Sequence, residues 1–183
     1  RGLGDVYKRQ DTDNAREIYN EVFEILILGL KNSELNFHGK YFSYDSVPMI
    51  LKPKQQPHPP LWYGIGAPQG VKWPAENGIN IISNASCEIA RESTDRYKDI
   101  WMTNFEEDKT LPKMGVARHI YIGQNDLEAN KICQRAYAAW YDNFMNLWAK
   151  NKVNPDVYPP DYKDAVKKDI VIAGKPETVT NEI

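Results

Sequence analysis

Cysteine is scarce in this chain: Cys87 and Cys133 stand alone and far apart. That spacing excludes a disulfide framework and a paired metal-ligand motif, so no metal site is expected and a reducing compartment, the cytoplasm, is the default. Neither charge is in excess. The 23 Lys and Arg stand against 25 Asp and Glu, for a net charge of −2 and a pI near 6.0. The broad basic footprint of a nucleic-acid or membrane-surface binder is missing, and neither partner is expected. No apolar run reaches membrane-spanning length, no secretory signal is recognised and no internal repeat recurs. What is present is an ordinary globular composition, 42% hydrophobic and 26% charged over 183 residues, enough for one domain with its own core.

The most informative stretch runs from Pro59 to Gly78. Leu61 to Ile65 is short and mostly apolar, as a strand buried on both faces of a parallel sheet should be. Glycines at 64, 66 and 70 then free the backbone, Pro68 can open a helix, and Val71 to Asn77 predicts a short helical turn closed by Gly78. A strand, a glycine-rich turn and a helix N-terminus make an anion site, because the first helical N–H groups lack internal partners. The competing reading is a tight strand-to-helix turn and nothing more.

Elsewhere the pattern alternates. The first ten residues, Arg1 to Gln10, match neither the following helix nor a targeting peptide; they resemble translated adapter sequence, which would make them non-native, or else form a plain polar tail, and in either case they are set aside. Asp13 is a candidate N-cap for an amphipathic helix carrying Ala15, Ile18, Tyr19, Val22, Phe23 and Leu26. Phe37 to Ile50 predicts a small β excursion of two runs broken by Asp45 and Ser46, and the four prolines between Lys52 and Pro60 require an extended connection. His58, between prolines, is given no catalytic role. Ile79 to Ser83 predicts a second buried strand with Asn84 at its end, Cys87 to Phe105 a helix, and Met114 to Gly123 a third strand. Asn125 with Glu128 is a capping arrangement for the next helix, whose stripe holds Cys133, Ala136, Tyr137, Trp140, Tyr141, Phe144, Leu147 and Trp148. Asn151 to Asp169 is expected to be a long loop or excursion, and Pro176 to restart a helix.

Strands alternating with helices imply right-handed crossovers and a parallel sheet, either doubly wound or part of a (β/α)8 barrel. Three core strands can be counted. A whole barrel needs about 250 residues, so a barrel here would be partial.

The assembled motifs are Phe37-His38-Gly39-Lys40-Tyr41-Phe42, Gln56-Pro57-His58-Pro59-Pro60-Leu61-Trp62, Gly64-Ile65-Gly66-Ala67-Pro68, Gly123 to Tyr141 and Gly174-Lys175-Pro176-Glu177-Thr178-Val179. Together and in this order they resemble the bacterial luciferase-like, flavin-dependent monooxygenase family. The resemblance runs from about Asp13 to the end of the chain. It implies an α/β fold, a partial (β/α)8 TIM barrel of about strands five to seven with their helices, over residues 13–183, with 1–12 a non-native or disordered tail. It also implies that strands one to four and strand eight lie outside this chain, which would then be incomplete and inactive alone.

By the same resemblance the chain would oxygenate an organic small molecule with O2 and reduced FMN, supplied by a separate flavin reductase. A branch of the family uses coenzyme F420 instead. Position by position, Gly66, Ala67 and Gly70 stand where the family contacts the flavin phosphate, and Gly64 and Pro68 shape the turn. Family members often place hydroxyl or acidic side chains in this loop, whereas Ala67 and Gly70 offer only backbone N–H groups. Pro74 also replaces a helix-favouring residue, and is tolerated only where the helix begins near Gly70. Asn84 either faces flavin or substrate or caps the next helix, the cap being preferred. Arg118 with His119 would make an acid–base pair, but a mid-strand position favours a structural role. No catalytic residue is assigned. A homo-oligomer is expected when the protein is full length, and a non-catalytic half-barrel that binds a partner through open sheet edges is the reading from another class.

Overall fold

Apolar residues at three- and four-residue spacing fold Ala15–Lys31 into helix α1, with Glu17 in its first turn and Lys31 in its last, both favourable to the helix dipole. The structure is a computed structural model that describes residues 14–106, 108–152 and 158–183. The expected N-cap, Asp13, and the first ten residues lie outside the described residues. Two compact units are present, one up to Pro60 and one spanning Leu61–Ile183.

In the first unit, α1 is followed by an antiparallel hairpin of β1 (Glu34–His38) and β2 (Ser43–Pro48). Its turn falls at Gly39 to Phe42, where the Glu21 carboxylate accepts the N–H groups of Lys40 (2.7 Å), Tyr41 (3.0 Å) and Phe42 (3.2 Å). The break expected at Asp45 and Ser46 is not a break between strands. Both residues lie within β2, where the register shifts, Ser46 takes a φ of 50° and its N–H bonds to Asn36 Oδ1 at 2.8 Å. A β-bulge therefore produces the turn-like composition there. Residues 49–60 form no strand or helix, as their prolines require, and the Gln56–Pro57 peptide is cis.

The second unit opens with β3 (Trp62–Ile65), a 3-10 turn (Pro68–Val71) and the short helix α2 (Lys72–Glu76). Pro74 is the third residue of α2, where its missing N–H has no helical partner to lose. Gly78, at φ 64°, closes this segment beneath the Trp101 ring and adopts a backbone conformation that a larger residue would occupy under strain. β4 (Asn80–Ser83) then lies parallel to β3 in register, and α3 (Cys87–Asn104) packs back against the 3-10 turn and α2. Ile65, Val71, Ala75, Ile81, Tyr97 and Trp101 form the resulting core.

The third expected strand is two. β5 (Met114–Val116) pairs with β4, β6 (His119–Ile122) pairs with β7 (Val171–Gly174), and Ala117 and Arg118 separate them. The Ala117 N–H still reaches Ser83 O at 2.8 Å, whereas the His119 N–H reaches Ile170 O at 3.0 Å, so the chain changes partners within two residues. β7 raises the strand positions from three to four, and α5 (Tyr162–Lys167) occupies the stretch expected to be loop or excursion. Between β6 and β7 runs α4 (Asp126–Lys150), capped as expected by Asn125, whose Oδ1 accepts the Glu128 N–H at 2.9 Å. Its Cys133 and Tyr137 join Tyr162, Ala165, Ile170 and Val171 in a second core, and α6 (Pro176–Glu182) ends the chain.

Candidate functional site

Parallel strands carry their binding groups where they end, because the connecting turns leave backbone and polar side chains uncovered there. β3 delivers Gly66 and β4 delivers Asn84 to the same place. Both line a cavity of about 720 Å³ together with Cys87, Tyr158, Lys167 and Lys168. Gly64, Ala67, Pro68 and Gly70 do not line it. A Cβ added at Gly64 or Gly66 would meet nothing within 4 Å, so open space lies beside both. At Gly70 it would touch only Ile65 Cγ2, at 3.8 Å.

The loop differs from the anion cradle expected of it in one respect. Gly70 does not offer its N–H, which donates to the Ala67 carbonyl at 3.0 Å and closes the 3-10 turn. The helix that follows is only five residues long, too short to add much dipole. The preferred cap reading of Asn84 also fails on geometry. Ser86 caps α3, its Oγ accepting the Ile89 N–H at 3.4 Å, while Asn84 Nδ2 donates to the Tyr158 hydroxyl at 2.6 Å.

Charge around the cavity is balanced, with Glu88 and Asp169 set against Lys167 and Lys168, and Lys167 lies 3.5 Å from Asp164. Arg118 donates to the Ala117 carbonyl at 2.8 Å and contacts Cys87 Sγ at 3.4 Å. Burial raises the Tyr158 hydroxyl above its ordinary pKa, against a smaller opposing effect of the Asn84 bond and the Arg118 charge. His119 does not line the cavity. Its ring lies tilted against that of Trp140, with centroids 4.3 Å apart, and burial depresses its pKa, as a structural histidine should show. No cluster of metal-ligating side chains occurs among the described residues.

Sequence reasoning missed Tyr158, which sits beside Pro159 and Pro160 in a stretch without periodicity. It also missed a serine–histidine–aspartate contact on the hairpin, with His38 Nδ1 2.9 Å from Ser43 Oγ and its Nε2 3.3 Å from Asp45. Those groups are exposed, so the triad lacks the enclosed, donor-lined site that acyl transfer needs.

A family model described as luciferase-like monooxygenase matches residues 2–183. The chain belongs to that family. Protein y4wF of Sinorhizobium fredii is 27% identical over 165 residues, which are 90% of this chain and 48% of the relative. The oxygenase component of the flavin-dependent trigonelline monooxygenase of Acinetobacter baylyi is 21% identical, over 69% of this chain and 35% of that protein. Monooxygenase RslO1 from Streptomyces bottropensis superposes with a TM-score of 0.79 at 16% identity, covering 100% of this chain and 54% of its own.

Two further structures share the fold. One is the oxygenating constituent of 3,6-diketocamphane monooxygenase from Pseudomonas putida in complex with FMN (TM-score 0.61, 17% identity, 94% of this chain and 53% of that one). The other is the coenzyme F420 dependent tetrahydromethanopterin reductase from Methanopyrus kandleri (TM-score 0.57, 16% identity, 90% and 52%). This luciferase-like chain thus spans about half the length of the proteins it matches. Its fold is that of a partial (β/α)8 barrel, with sheets of three and two strands that are not closed among the described residues.

Proposed function

We propose that this luciferase-like chain forms the flavin-phosphate side of an oxidoreductase that oxygenates an organic small molecule with O2 and reduced FMN. The observation that carries the reading is the convergence of Gly66 and Asn84, from the ends of two adjacent parallel strands, on one cavity. Its volume suits a cofactor-sized ligand, since such pockets run to roughly 300–1,000 Å³. The open space beside Gly64 and Gly66 suits close approach of a ligand to backbone.

In this reading Gly66 lets the ligand approach the end of β3 and Asn84 contributes a polar contact at the end of β4, while Ala67, outside the cavity lining, belongs to the turn. Gly64, Pro68 and Gly70 shape the turn. When bound, the reduced flavin supplies the electrons for oxygen chemistry, while these residues hold it and limit water. The remaining barrel wall would come from the sequence by which relatives exceed this chain. A separate reductase follows from likeness to the oxygenase component in Acinetobacter baylyi. Coenzyme F420 is the second cofactor reading, supported by the likeness to the F420-dependent reductase.

The test is an anaerobic titration of the protein encoded by the complete reading frame with reduced FMN and, in parallel, F420. Gly66→Asp should weaken flavin binding at least tenfold by placing a carboxylate at the cavity wall. Gly70→Asp should weaken it less, because Gly70 does not line the cavity. Failure of the unsubstituted protein to bind either cofactor would overturn the reading.

A further inference from the structure

Tyr158 belongs to no strand or helix, yet it is held at both ends. Its ring meets Trp140 and Phe144 of α4 edge-on, at centroid distances of 4.8 and 5.3 Å. Its hydroxyl accepts the 2.6 Å bond from Asn84 Nδ2, across 74 positions of sequence. The aromatic stripe of α4 is thereby tied to the end of β4 and the wall of the cavity.

An asparagine amide has two unlike groups, and rotation about its last bond exchanges them. One end of that amide is held by the Tyr158 hydroxyl, and the residue lines the cavity wall. We infer that Tyr158 is a positioning residue, holding the Asn84 amide at the cavity wall as a polar contact for the ligand. The inference rests on the flavin reading above and adds to it the residue that orients Asn84. Lys167 and Lys168 do not decide the ligand, since Glu88 and Asp169 on the same cavity offset them.

Removing the Tyr158 hydroxyl leaves the ring and its packing on α4 in place but lets the amide rotate. The protein encoded by the complete reading frame, its Tyr158→Phe and Asn84→Ala variants and the double variant would be titrated with FMN, binding being followed by quenching of flavin fluorescence. Near-UV circular dichroism would confirm that each variant is folded. Tyr158→Phe should weaken binding by roughly three- to tenfold, the worth of one net hydrogen bond. In the Asn84→Ala background the same change should have no further effect, because Tyr158 acts only through that amide. Equal weakening in both backgrounds would show that Tyr158 supports the fold independently of Asn84 and would overturn the inference. So would unchanged binding by Tyr158→Phe alone. Absence of FMN binding by the unsubstituted protein would overturn the flavin reading itself, and this inference with it.

Discussion

The parallel strands of the second unit have one face packed under helices and one that is open, and both are apolar. Toward the helices, Ile81 is 1% exposed; next to it in sequence and on the other face, Ile82 is 40% exposed. The open face continues through Trp62 at 50%, Ile120 at 48% and Ile122 at 56%. Parallel strands patterned for burial on both sides are the rule in α/β proteins, where neither face meets water. In a (β/α)8 barrel the outer face takes the helices and the inner face is filled by layers of side chains from all the strands. The sequence of each strand is therefore written for two environments, and the helices of this chain provide one of them.

The comparison breaks most visibly at the neighbouring isoleucines. Ile81→Ala should destabilise by about 2–5 kcal/mol, the cost of a cavity in a packed core. Ile82→Ala should cost less than about 1 kcal/mol while its face is solvated. Urea denaturation of the two variants measures the difference. Comparable losses would mean that the open face is covered in solution.

A smaller effect sharpens the description of the covered side. Tyr97, fully buried on α3, donates to the Ile79 carbonyl at 2.7 Å just ahead of β4, and burial pushes its pKa up to about 12. Tyr97→Phe keeps the ring and leaves that carbonyl short of a donor, which should cost about 1–3 kcal/mol. Thermal denaturation checks it. A neutral substitution would show that the helix is held by apolar packing alone.

What the sequence disclosed follows how local each signal is. The Asn125–Glu128 cap, the α4 stripe and the two strands flanking α2 are set by residues within a few positions of one another, and they were legible. Val171–Gly174 was missed because four apolar residues wedged between a short helix and a glycine turn resemble a junction as much as a strand. For α5 the signal was present: Asp161 accepts the N–H groups of Lys163 (2.8 Å) and Asp164 (3.2 Å), but the prolines before it obscured that cap. At the candidate site, Gly66 and Asn84 could be read from their places at strand ends. Tyr158 could not, since a contact across 74 residues leaves no trace in spacing. The Gly70 N–H was misassigned because a glycine-rich turn can aim its N–H groups outward or close on itself, and only the backbone path decides.

The smallest expected effect sets His119 against Ile120, neighbours in β6 whose side chains take opposite faces. His119 lies against Trp140, Tyr137 and Tyr158, and burial holds its pKa below the ordinary 6.5. The folded state thus prefers the neutral ring more strongly than the unfolded chain does. Its contribution to stability is complete above pH 6.5, starts to fall as the pH drops below that value, and stops falling below the folded pKa. Asp126 acts in the same sense but in a more acidic window. The backbone N–H of Lys175 and the Thr178 side chain hold its carboxyl below the ordinary 3.8, so its contribution survives until more acidic solution. Urea midpoints at about pH 7.5 and pH 5 consequently isolate the histidine. His119→Phe should flatten the loss between them. Ile120→His, which puts the same ring on the open face, should titrate near the ordinary value in both states and add no comparable loss. An equal loss from that variant would mean that the inner face is as dry as the outer one, and the contrast between the two faces would be gone.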